Sequence, residues 1–121
     1  MTVLVTGGAG YIGSHTLVCL LDLGYDVVVY DNLVNASIKA LNRVEIMTGK
    51  KIEFVEGDVT DSKAVDDLFA TYSIDVVIHF AALKAVGESA QFPLKYYETN
   101  VHGSLCVLKA MEKAGVNQFV Y

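Results

Sequence analysis

The chain has 121 residues, 53% hydrophobic and 19% charged, with one proline and a formal net charge of −5. This composition excludes disorder and fits a single domain large enough to bury a core, under a sheet covered on both faces. An acidic balance without a basic cluster argues against nucleic acid or an anionic membrane as partner, and no apolar run approaches the length that spans a bilayer.

Val3 to Val5 is an unbroken apolar run, the pattern of a strand buried on both faces of a parallel sheet. It leads directly into glycines. Gly8, Gly10 and Gly13 satisfy Gly-x-Gly-x-x-Gly, and Gly7, Gly10 and Gly13 satisfy Gly-x-x-Gly-x-x-Gly. Either spacing suits a dinucleotide: the turn accepts positive φ, the backbone can approach a pyrophosphate, and the last glycine lets helix and strand pack closely. Ile12, Leu17, Leu20 and Leu21 then recur at helical spacing as far as Gly24. Val27 to Tyr30 reads as the second strand and ends in Asp31, eighteen residues after Gly13. An acid at this point is placed for the adenosine ribose hydroxyls. Its charge would repel a 2′-phosphate, and Asn32 follows rather than an arginine, so the expected cofactor is NAD rather than NADP.

A short helix is expected around Leu41, Val44 and Met47, ending near Gly49, and Ile52 to Val55 reads as the third strand, followed by Gly57 and Asp58. Thr60 or Asp61 can cap the next helix, whose core face is Val65, Leu68, Phe69 and Tyr72. Val76 to Phe80 is the fourth strand, and Ala81 to Ser89 reads as a loop of small residues. Pro93 opens a long helix with Leu94, Tyr97, Val101, Leu105, Leu108 and Met111 at three- and four-residue spacing. Gly103 within it predicts close packing against a neighbour. Gly115 closes this helix, and Gln118 to Tyr121 begins a fifth strand. Cys19 and Cys106 fall in helices without Cys-x-x-Cys spacing and read as buried free thiols in a cytoplasmic protein; His15, His79 and His102 carry no metal signature.

Alternating strands and helices predict an α/β fold, a doubly wound parallel sheet in the order 3-2-1-4-5. Ligands of such sheets bind beyond the carboxyl ends of the strands, where strands one and four part. That rule collects the segments Gly7 to Gly13, Asp31 with Asn32, Asp58 with Val59, and Phe80 to Lys84 into one crevice. Asp58 reads either as a turn residue or helix cap, or as an adenine contact. Lys84 at this point would add favourable potential for phosphate and ribose groups.

The stretches Thr6 to His15, Asp31 to Leu33, Glu56 to Asp58 and especially His79 to Ser89 resemble the UDP-glucose 4-epimerases, extended short-chain dehydrogenases/reductases. The resemblance runs from Val3 to Tyr121 and covers about the first third of a typical member. It implies an isomerase of galactose metabolism that interconverts UDP-galactose and UDP-glucose through a 4-keto intermediate on a tightly held NAD. By resemblance, Gly7, Gly10, Tyr11, Ile12 and Gly13 hold the pyrophosphate, and Asp31, Asn32 and Asn35 serve the adenosine ribose and its surroundings. Asp58 and Val59 serve the adenine, and Phe80, Ala81 and Lys84 the inner side of the cofactor. Ala82, Thr99 and Ala36 depart from the family's usual glycine, asparagine and serine, which implies weaker NAD binding. No catalytic residue is assigned, because the family's sugar-binding serines, its Tyr-x-x-x-Lys pair and its C-terminal substrate domain are not found in this sequence. The expectation is an NAD-binding domain over residues 1–121, truncated in its fifth strand and inactive alone, prone to self-association, with the helix after Pro93 able to support a homodimer. A UDP-hexose would bind only with the C-terminal part supplied. Another sugar-nucleotide dehydratase or reductase, or a non-catalytic NAD-binding module, would share the glycines and Asp31.

Overall fold

The computed structural model describes residues 1–121. In chain order it contains β1 (Thr2–Thr6), α1 (Tyr11–Asp22), β2 (Asp26–Asp31), α2 (Ile38–Thr48), β3 (Glu53–Glu56), α3 (Ser62–Thr71) and β4 (Val76–His79). There follow α4 (Val86–Gln91), α5 (Pro93–Tyr97), a π-helical turn (Glu98–His102), α6 (Gly103–Ala114) and β5 (Gln118–Val120). Every strand pair is parallel, and the sheet runs β3-β2-β1-β4-β5, the order the sequence predicts. No helix is long and apolar enough to cross a membrane.

Side chains alternate across each strand, and this divides the core into two layers. Leu4, Val28, Tyr30 and Val77 pack with Val65 and Leu68 of α3 and Val107 and Met111 of α6. On the opposite face, Val3, Val5, Val27 and Val29 meet Leu17 and Leu21 of α1 and Leu41 and Val44 of α2. With both faces covered, the central strands tolerate no polar alternation. Of the two residues able to cap α3, Asp61 does so, its carboxylate accepting from the Ala64 N–H at 3.1 Å. Gly103 packs as its position in the sequence predicts: a Cβ there would lie 2.6 Å from a methyl of Val59.

Three expectations need correction. The segment from Ala81 to Ser89 is not loop throughout, because α4 starts at Val86; α4 buries no residue and so leaves no apolar stripe to read, while Glu88 in its first turn favours the helix electrostatically. The helix after Pro93 is not uniform but opens into the π-helical turn before α6. Cys106 is buried but Cys19 is exposed, because α1 docks through Gly13, Leu17 and Leu21 and a residue two positions past Leu17 points away from that face.

Candidate functional site

The carboxyl end of β1 enters a turn in which Gly7 has φ +69°, a conformation that favours glycine. A Cβ on Gly7 would stand 2.7 Å from the Ala81 nitrogen, so any side chain would push the glycine turn off the segment after β4. At Gly13 a Cβ would lie 2.4 Å from the Gly7 carbonyl oxygen and 2.7 Å from the Gly8 Cα, which makes this glycine the contact through which α1 packs on the turn. Gly8 sits beneath, facing Val29. The two glycine spacings are therefore not equivalent: Gly7, Gly10 and Gly13 line the cleft, and Gly8 does not. Gly10 caps α1 without a side-chain hydrogen bond. The first-turn amides of Tyr11, Ile12 and Gly13 have no carbonyl one turn earlier in the helix to bond, and their N–H groups with the helix dipole make a seat for anionic oxygens.

Asp31 ends β2 and is 8% exposed. One carboxylate oxygen accepts from the Ala9 N–H at 3.0 Å and the other from the Leu33 N–H at 2.9 Å. The same acid that faces the cleft thus braces the glycine turn, and each oxygen keeps a lone pair for a hydroxyl. Beside it, the buried Tyr30 hydroxyl donates to the Asp58 carbonyl at 3.0 Å. Burial, with the negative charges of Asp61 and Asp58, pushes the Tyr30 phenol up to about 12, so it remains a donor. Gly57 gives that ring its room, since a Cβ there would fall 2.4 Å from the hydroxyl oxygen. The Asp58 carboxylate accepts from the Thr60 N–H and hydroxyl at 2.9 and 2.7 Å and from the Asn32 amide at 3.0 Å. Burial opposes its ionisation, but these hydrogen bonds outweigh burial and hold the carboxyl below its ordinary value.

These elements enclose a cleft of about 490 Å³ at the carboxyl ends of the strands. Gly7, Gly10, Tyr11, Ile12, Gly13, Asp31, Asn32, Asn35, Val59, Phe80, Ala81 and Lys84 all line it. Asp58 lies between the lining residues Gly57 and Val59 and accepts from the lining Asn32 amide at 3.0 Å. Ala36, Ala82 and Thr99, the departures from the family pattern, are in the lining too, as are Tyr30, Gly57, Glu88 and Tyr96, which the sequence did not single out. The Glu88 carboxylate is held by Lys95 at 2.5 Å, whereas Lys84 is exposed and forms no ion pair, so the β4 side of the cleft presents an uncompensated positive charge. Asn100, from the π-helical turn, grips this wall: its Oδ1 accepts from the Leu83 N–H at 2.8 Å and its amide donates to the Leu83 carbonyl at 2.9 Å.

Comparison with known proteins matches this arrangement to one family. A sequence model described as the NAD dependent epimerase/dehydratase family matches residues 3–121. A UDP-glucose 4-epimerase of Bacillus subtilis (strain 168) is 58% identical over 121 residues, which is all of this chain and 36% of that protein. Among solved structures, UDP-glucose 4-epimerase from Bifidobacterium longum in complex with NAD+ and UDP superposes with a TM-score of 0.96 at 50% identity, covering 98% of this chain and 36% of that one. The UDP-glucose 4-epimerase of Thermus thermophilus in complex with NAD gives a TM-score of 0.91 at 36% identity, covering 100% of this chain and 37% of that one. The chain thus spans about a third of the length of the relatives it matches.

Proposed function

The chain belongs to the NAD dependent epimerase/dehydratase family, and from that we propose that it is the NAD-binding portion of a UDP-glucose 4-epimerase. The observation that carries the reading is the joining of two features in one cleft: a helix N-terminus without a side-chain cap behind Gly7, Gly10 and Gly13, and a nearly buried carboxylate at the end of β2. The cofactor fits what is present, because the cradle tolerates no Cβ at Gly7 or Gly13 and aims amides where a pyrophosphate needs them. In this proposal Gly7, Gly10, Tyr11, Ile12 and Gly13 hold the pyrophosphate. Asp31, Asn32 and Asn35 take the adenosine ribose and its surroundings, and Asp58 and Val59 serve the adenine, with Asp58 also holding the Asn32 amide. Phe80, Ala81 and Lys84 face the second nucleoside.

Bound NAD would supply reversible oxidation at C4 of the hexose in UDP-galactose and UDP-glucose, giving a 4-keto intermediate. The residues here bind and orient; they include no Tyr-x-x-x-Lys pair, so the proposal assigns them no proton transfer. Titration should show NAD bound at least about tenfold more tightly than NADP, since Asp31 meets a 2′-phosphate charge to charge. Equal affinity for the two would overturn the assignment of Asp31. Joined to the remaining two thirds of the Bacillus subtilis relative, the chain should turn over UDP-galactose; NAD binding without that turnover would point to a dehydratase or reductase built on the same cleft.

We place the protein in the cytoplasm and in galactose metabolism on the same reading. Leu94, Tyr97, Val101, Leu105 and Leu108 are exposed along one helical run, an apolar stripe that supports a homodimer. Sedimentation should then show a concentration-dependent dimer, and a monomer at all concentrations would overturn that assignment.

A further inference from the structure

We infer that His79 is a positioning residue for the cofactor cleft, tying the glycine turn to the wall after β4; the inference rests on the NAD-binding reading above. The parallel register pairs Thr6 with His79 across β1 and β4. The Thr6 hydroxyl lies 2.6 Å from His79 Nδ1 and accepts from the Ala81 N–H at 3.3 Å. His79 Nε2 lies 3.0 Å from the Ser104 hydroxyl, which donates to the Asn100 carbonyl at 2.7 Å.

One proton per hydroxyl fixes the direction of the whole chain. Ser104 has given its proton to Asn100, so His79 Nε2–H donates to Ser104. Nδ1 then carries no proton and accepts from Thr6. The ring is the neutral Nε2–H tautomer, and every donor in the row has an acceptor. This row joins the two anchors of the segment that carries Ala82 and Lys84: Thr6, which holds Ala81, and Asn100, which holds Leu83 at two points.

That segment is the β4 wall of the cleft, whereas the adenosine side is built on β2 and β3. A disturbance of the row should therefore weaken contacts to the second nucleoside and spare those to the adenosine and pyrophosphate. Ser104 does not itself line the cleft, which makes it the place to cut.

The experiment is titration of the chain and its variants with NAD and with ADP, which lacks the second nucleoside. Ser104→Ala should weaken NAD about tenfold, the scale of one lost buried hydrogen bond, and leave ADP within about twofold. Ser104→Thr, which keeps the hydroxyl, should restore NAD affinity; His79→Phe should reproduce the loss, with folding of each variant checked by circular dichroism. Equal NAD affinity in the wild type, Ser104→Ala and Ser104→Thr would overturn the inference, as would equal weakening of NAD and ADP by Ser104→Ala. A wild-type chain that binds ADP and NAD with the same affinity would overturn it too, while one that binds neither would overturn the NAD-binding reading itself.

Discussion

Gly13→Ala is expected to abolish measurable NAD binding and to cost about 3 kcal/mol of stability, whereas Gly10→Ala should leave the fold nearly intact and still impair NAD. The two glycines stand in one motif, yet the added methyl meets different things. At position 13 it would lie 2.4 Å from the Gly7 oxygen and 2.7 Å from the Gly8 Cα, backbone atoms that no rotamer change can move. Relief requires α1 to lift from the turn, which loosens Leu17 and Leu21 in the core and shifts the first-turn amides away from their common focus. Overpacking of this kind reaches about 3 kcal/mol at its upper end. At position 10 the nearest atom is the Gly7 oxygen at 3.3 Å, and φ is −73°, which alanine adopts freely. That methyl faces the cleft instead, where a pyrophosphate needs close approach to the backbone. Urea unfolding and NAD titration of both variants check the contrast. Equal unfolding midpoints for Gly13→Ala and the wild type would show that the helix does not need this close approach.

The part of the site legible in the sequence was the part whose residues are close together in the chain. The glycine turn and α1 occupy adjacent positions, and Asp31 lies one crossover away, so spacing alone located them. Strand order followed for a similar reason: unbroken apolar runs separated by helices leave few ways to cover both sheet faces. The rest depended on tertiary register. Nothing local to Thr6, Asn100 or Ser104 indicates a role, because their connection exists only once β1 pairs with β4 and α6 packs alongside. In the sequence Tyr30 is only the last residue of the second strand run; its hydroxyl reaches the Asp58 carbonyl because Gly57 leaves the ring its space. Asp58 reads in the sequence either as a turn residue or as an adenine contact, and its hydrogen bonds to Thr60 and Asn32, which tie the end of β3 to the residue after Asp31, need the tertiary fold to be seen. Cys19 is exposed although it lies in an apolar helix, because helical spacing gives a period and only the docked face gives its phase.

The row through His79 also makes the fold acid-sensitive in a defined window. Burial lowers the His79 pKa from 6.5 to about 4, and its ring packs against Phe119 and Tyr121 with centroids 5.9 Å away. The folded value lies below the unfolded one, so the contribution to stability is complete above pH 6.5. As pH falls from there toward 4, the unfolded chain takes up a proton that the folded chain refuses, and stability declines by about 3 kcal/mol. Protonation in place would bury a charge and put a second N–H where Thr6 now donates, so the Thr6 hydroxyl would have to turn its proton away and lose that acceptor. Asp58 contributes acid sensitivity of the same sign, but its folded value lies below 3.8, so its loss begins where that of His79 is nearly complete. Urea unfolding of the wild type from pH 7.5 to 4 should therefore slope most steeply between 6.5 and 4.5. His79→Phe should be less stable at pH 7.5, because Thr6 and Ser104 each lose a partner, but its curve should lack that slope, so that the two proteins converge in stability toward pH 4. Parallel curves for wild type and variant across this range would mean that His79 titrates in the folded chain as it does in the unfolded one, and that its burial does not hold the ring neutral.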